Sequence, residues 1–110
     1  MRPIRVTLDA QGVSAPIILD NRQAPFNVGL AVVLSSGASL TYSVEHTFDD
    51  VFSPSFNAST AKWFPHATLA NKTESLDGNY AYPVMAIRLN VSAYTGGTAT
   101  IVAIQSSGAA

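Results

Sequence analysis

Hydrophobic and polar residues alternate with a period of two along most of the chain. Ile4, Val6 and Leu8 alternate with Arg5, Thr7 and Asp9, and Phe26, Val28, Leu30, Val32 and Leu34 form a second series. In "SLTYSVEHTF", Leu40, Tyr42, Val44, His46 and Phe48 fall on one side, with Ser39, Thr41, Ser43, Glu45 and Thr47 on the other. Met85, Ile87, Leu89, Val91 and Ala93 line up opposite Arg88, Asn90 and Ser92, and "TATIVAIQ" repeats the rhythm. "APIILD" adds a short apolar run. Successive side chains of a strand point to opposite sheet faces, so this is the signature of half-buried β-strands. No stretch keeps the 3.6-residue period of an amphipathic helix.

Turn-forming residues separate the runs: Gln11-Gly12, Asp20-Asn21, Ser36-Gly37, Asp77-Gly78-Asn79 and Gly96-Gly97. These types tolerate positive φ or close side-chain turns on the backbone. Gly96-Gly97, set between two alternating runs, predicts a tight hairpin. About seven or eight short strands in one small domain predict an all-β fold, an antiparallel β-sandwich of jelly-roll type, with an immunoglobulin-like sandwich as the alternative. The long connection from Asp49 to about Pro65 suits a chain crossing between two sheets. One domain is expected over residues 1–105, with a short arm at 1–3 and a flexible tail at 106–110.

A chain of 110 residues buries enough surface for one core without staples, and it has no cysteine to form any. Charge is scarce. Asp, Glu, Lys and Arg make up 12% of the residues, against about 25% in an ordinary domain. The net charge of −1 offers no field to attract nucleic acid or an acidic membrane. Serine and threonine, 12 and 9 residues, take the place of charge. A polar but uncharged exterior is cheap to desolvate and suits a protein packed against its neighbours. The apolar run "VGLAVVL" is far shorter than the ~18 residues that span a bilayer, and the N-terminus lacks an apolar leader, so a soluble protein is expected.

Residues that carry chemistry gather in "SVEHTFDD", with His66 following in "KWFPHATL". Glu45 and His46 are adjacent and would diverge from a strand, whereas strand ligands for a metal need spacing i, i+2. His46 shares the apolar side and reads as a ring hydrogen-bonded to a loop. Asp49 and Asp50 stand where alternation stops, as expected of carboxylates that accept backbone N–H groups at a strand exit. They lack the spaced acidic loop of a Ca²⁺ site. Neither G-x-S-x-G nor H-E-x-x-H occurs, and no phosphate-binding glycine loop opens a helix. The expectation is no enzyme, no metal and no cofactor. The rival reading is a small hydrolase or metal enzyme using His46, His66, Asp49 and Asp50.

Half of the ten aromatic residues crowd into Phe48, Phe52, Phe56, Trp63 and Phe64. Either this loop folds over the end of the core, or some of its rings reach a partner, since aromatic anchors dominate interface energies. Phe52, Phe56, Trp63 and Phe64 are therefore candidate interface residues. Arg2, Pro3 and Ile4 join them, because a first strand at a sheet edge can extend a partner's sheet and Pro3 suits an edge.

"GASLTYSVEHTFDD", "KWFPHATL" and "GNYAYPVMAIRLNVSAYTGGTATIVAIQ", in that order, resemble small all-β proteins of tailed-bacteriophage structural modules. The resemblance covers about two-thirds of the chain. It implies a virion component analogous to capsid cement or decoration proteins, jelly rolls that sit outside the head, often as dimers, and staple capsid subunits. It implies a homodimer or homotrimer bound to the major capsid protein, made in the host bacterial cytoplasm, with no catalytic residues and no nucleic-acid, membrane or small-molecule partner. A tail-associated module that binds a host glycan or another tail protein is the alternative.

Overall fold

A computed structural model describes residues 4–19, 27–57 and 59–105. Among them lie nine strands and no helix: β1 (Ile4–Leu8), β2 (Gly12–Val13), β3 (Ile17–Ile18), β4 (Val28–Leu34), β5 (Ser39–Thr47), β6 (Trp63–Pro65), β7 (Leu76–Tyr80), β8 (Ala86–Gly96) and β9 (Ala99–Gln105). They form two antiparallel sheets. The first has the order β1-β9-β4-β7; the second has β2-β8-β5-β6, with β3 also on β8. The expected arm at 1–3, the tail at 106–110, Asp20-Asn21 and Phe26 lie outside the described residues, as do the interface candidates Arg2 and Pro3. No described helix is long and apolar enough to cross a membrane.

Alternation places the core. Val28, Leu30 and Val32 of β4, with Ala99, Ile101 and Ala103 of β9, meet Leu40, Tyr42 and Val44 of β5 and Ile87, Leu89 and Val91 of β8 in one buried cluster. Each of these rows is the apolar half of a period-two pattern, so one cluster draws on both sheets. The outward half is polar on the second sheet, with Thr41, Ser43 and Glu45 facing out.

The pairing brings a correction at Gly96-Gly97. The flanking strands β8 and β9 do not pair with each other, since β8 joins β5 and β9 joins β4. The turn carries the chain from one sheet to the other, and Ser36-Gly37 does the same between β4 and β5. These two corners are tied together. The Ser35 N–H donates to the Thr98 carbonyl at 3.0 Å, and the Thr98 N–H donates to Ser35 Oγ at 2.9 Å. Gly97 has φ +92°, and a Cβ on it would stand 2.5 Å from the Ala38 Cβ. Only glycine fits there.

Two further expectations fail for reasons of register. Alternation predicts Ala93 in the core row, but it is exposed. Val91 pairs with Tyr42 while Ala93 pairs with Thr41, which leaves Ser92 as an extra residue in β8. Such a bulge reverses the side-chain parity, and Tyr94 turns inward instead. Phe48 continues the β5 rhythm, but the ladder ends at Thr47 and the ring lies 54% exposed.

The predicted turn Asp77-Gly78-Asn79 is the middle of strand β7, paired with β4 from Leu76 to Tyr80. A Cβ at Gly78 would approach Leu69 Cδ1 at 3.1 Å and His66 Cε1 at 3.4 Å. The glycine makes room for a buried histidine, not for a turn.

Candidate interaction surface

Opposite the two corners, β5 and β7 end and β6 begins. His46 is the last inward residue of β5 and pairs across to Phe64 of β6. Its ring is buried, and a 2.8 Å hydrogen bond joins its Nδ1 to the Tyr80 hydroxyl. The partner is thus the end of β7 in the other sheet, where the sequence pointed to a loop. Burial, and then the second histidine, push His46 below its ordinary value of 6.5. Burial, followed by Tyr82 and Glu45, pushes Tyr80 far up from 10. Both shifts favour the uncharged form, so the pair meets as neutral imidazole and phenol.

His66 also packs edge-to-face with Tyr80, with ring centroids 4.8 Å apart. Its Nε2–H donates to the Asn79 carbonyl at 2.9 Å, and its Nδ1 accepts the Thr68 N–H at 3.1 Å. Those roles place the ring proton on Nε2. Among the described residues, every buried side-chain nitrogen and oxygen has a hydrogen-bond partner.

Three exposed rings rim this base. Phe48, Tyr82 and Phe64 lie 5.5, 5.9 and 6.0 Å from His46, measured between centroids, and Phe48 lies 6.0 Å from Phe64 and 6.5 Å from Tyr82. Their exposures are 54%, 48% and 40%. Beside them Phe48, Pro83, Val84 and Met85 line a hollow of about 180 Å³. An open aromatic patch held on a hydrogen-bonded floor can bury its rings against a partner with little loss of side-chain freedom.

Of the described interface candidates, only Phe64 belongs to this patch. Trp63 points to the opposite side of β6, half-buried beneath the Arg88 guanidinium, which lies 4.2 Å from its ring centroid. Arg88 Nε–H donates to Glu45 Oε1 at 2.8 Å, and Asn90 Nδ2–H donates to Glu45 Oε2 at 3.2 Å. Phe52, 68% exposed, and Phe56, half-buried, sit in the loop after β5. Ile4 is 37% exposed on β1, an outer strand of the first sheet.

The loop explains Asp49 and Asp50. Asp49 Oδ2 accepts the Lys62 N–H at 2.9 Å, and Asp50 Oδ1 accepts the Phe52 N–H at 3.0 Å. Thr47, on the outward parity, is fully buried because its hydroxyl donates to the Lys62 carbonyl and accepts the Asp49 N–H. No three His, Asp or Glu side chains among the described residues are grouped to hold a metal.

Sequence reasoning missed Tyr82 and misplaced Phe48. A signal was present in "NYAYPV", where Tyr80 and Tyr82 share parity just before a proline. The inner ring then belongs to the last pair of a strand, and the outer one falls past its end. No family model matches the chain, and no curated protein or solved structure matches it significantly.

Proposed function

We propose that this chain is a virion structural protein, a cement or decoration subunit that binds the outside of a tailed-phage head and bridges its capsid subunits. The observation that carries the reading is the exposed cluster of Phe48, Phe64 and Tyr82 on its neutral His46–Tyr80 base. Aromatic residues in a fixed setting are the groups that anchor protein interfaces. The resemblance of "SVEHTFDD" and the stretches after it to phage structural proteins points the same way.

The fold is proposed to be a sandwich of the jelly-roll form, with the immunoglobulin-like form disfavoured. Support comes from the strand pairing. Residues 28–47 run antiparallel to 86–105 through both sheets, as a two-stranded ribbon bent over at the tied corners. The first strand lies beside the last, whereas immunoglobulin-like order separates them.

A cement subunit works by mass action. It binds the assembled lattice and not the free subunit, so its binding free energy adds to the stability of the shell. Replacing Phe48 and Tyr82 together by serine removes two anchors, for which at least ~2 kcal/mol, or roughly 30-fold in affinity, is expected. The test is co-sedimentation of the purified protein with mature and precursor heads. Binding to mature heads that the double variant loses is the expected result. Absence of the chain from purified particles by mass spectrometry, or unchanged binding by the variant, overturns the reading. A few copies at one vertex in a particle reconstruction favours the tail module instead.

A further inference from the structure

The outward side of the first sheet differs from that of the second. Its two central strands present Gly29, Ala31 and Val33 of β4 beside Thr100, Val102 and Ile104 of β9. Val33 and Ile104 are about half exposed, and a shallow hollow of about 280 Å³ opens over Gly29 and Ala31. The middle row runs straight across all four strands as Arg5, Val102, Ala31 and Asp77. It has a cation at one edge, an anion at the other and apolar residues between. Among the described residues neither Arg5 nor Asp77 makes an ion pair within the chain.

We infer that this sheet face seats a second copy of the chain, as a symmetric dimer whose twofold axis runs along the strands midway between β9 and β4. A rotation about that axis exchanges the two edges of the face. Arg5 of each copy then comes opposite the partner's Asp77, so both ends of the row meet opposite charge. The same rotation sets β9 over the partner's β4. Ile104 meets the partner's Gly29 and Val102 meets the partner's Ala31, in each case a large side chain over a small one. The hollow over Gly29 receives the Ile104 side chain. An isologous interface must complement itself, and this face does so in charge and in size about one axis. The alternative axis, across the strands, would bring Arg5 against the partner's Arg5.

Four strands ~4.8 Å apart and about six residues long make a face of on the order of 400 Å² in projection, about half the ~800 Å² per partner of a standard specific interface. A dimer that dissociates on dilution is therefore expected, and it is measured on the purified chain without any capsid. In sedimentation velocity over a dilution series, Arg5→Asp and Asp77→Arg should each weaken the dimer about tenfold, and the two together should restore it. A Cβ at Gly29 meets nothing nearer than 4.0 Å in its own chain and the position opens onto the hollow, so Gly29→Val should keep the fold and its melting temperature while losing the dimer. Should that variant fold poorly, Ile104→Asp at its exposed position makes the same test. A monomer at every concentration, a trimer, or a dimer untouched by Gly29→Val and Ile104→Asp, as edge pairing through β1 would give, overturns the inference.

Discussion

His46 is buried where an imidazolium would have to leave water and face a second histidine, and its hydrogen bond to Tyr80 serves a neutral ring. Its folded value lies below the 6.5 of the unfolded chain, so between the two the unfolded state binds more protons. The stabilisation is complete above about pH 6.5 and is lost as pH falls through the lowered folded value. Urea denaturation at pH 7.5 and pH 5 should show this loss. In His46→Gln, which does not titrate, the difference should shrink. Equal pH slopes in the two proteins would show that the ring is not the titrating group. Gly78 is the second residue whose role is set by a neighbour. Valine there is a good strand former in isolation but would press on Leu69 and His66, so Gly78→Val is expected to cost about 1–3 kcal/mol in the same assay. A neutral or stabilising result would mean that His66 and Leu69 yield freely.

At the scale of elements, the two corners decide the architecture. Gly97 is held by a positive φ and by the Ala38 side chain, while Gly96 has nothing within 4 Å of a Cβ and no positive φ. Gly97→Ala should therefore cost on the order of 3 kcal/mol, from backbone strain together with overpacking. Gly96→Ala should stay within ~1 kcal/mol of the parent. Thermal melts of the pair test this, and similar losses at both positions would argue against the tied corners. The same corners show what the sequence could convey. β4, β5 and β9 are readable because each buries one complete side, so the alternation names both the strand and its inward residues. Two alternating runs around Gly-Gly look identical whether they pair with each other or bend into separate sheets, and only contacts with β4 and β5 separate the cases. β6 and β7 were hidden because they are short and irregular in pattern; Gly78 in β7 answers to His66, a residue twelve positions away. The bulge at Ser92 leaves no local mark, yet it moves Tyr94 inward and Ala93 out. Phe64 of the candidate surface follows from aromatic density alone, whereas the shared parity of Tyr80 and Tyr82 before Pro83 gains its meaning once β7 is known to end at Tyr80.

For the whole molecule, the two proposed surfaces lie on different parts of the fold, one at the ends of β5, β6 and β7 and one on the outward side of the first sheet. A dimer joined through the second surface keeps both aromatic patches free, one on each copy. Such a particle can hold two lattice sites at once, and the second attachment is intramolecular. With one net negative charge per chain, little long-range repulsion opposes bringing the copies together or to a shell. Shell affinity should therefore depend on dimerisation even when the aromatic patch is untouched. Gly29→Val, with Phe48, Phe64 and Tyr82 intact, is expected to bind mature heads roughly 10²-fold or more weakly than the parent, the usual scale of avidity when linked sites match their targets. Phe48→Ser with Tyr82→Ser should lose binding while remaining dimeric. Heads titrated with the three proteins and analysed by sedimentation separate the contributions. If the Gly29→Val monomer holds the shell as firmly as the parent, bridging by paired copies is not how the lattice is secured, and each chain must span two capsid subunits by itself.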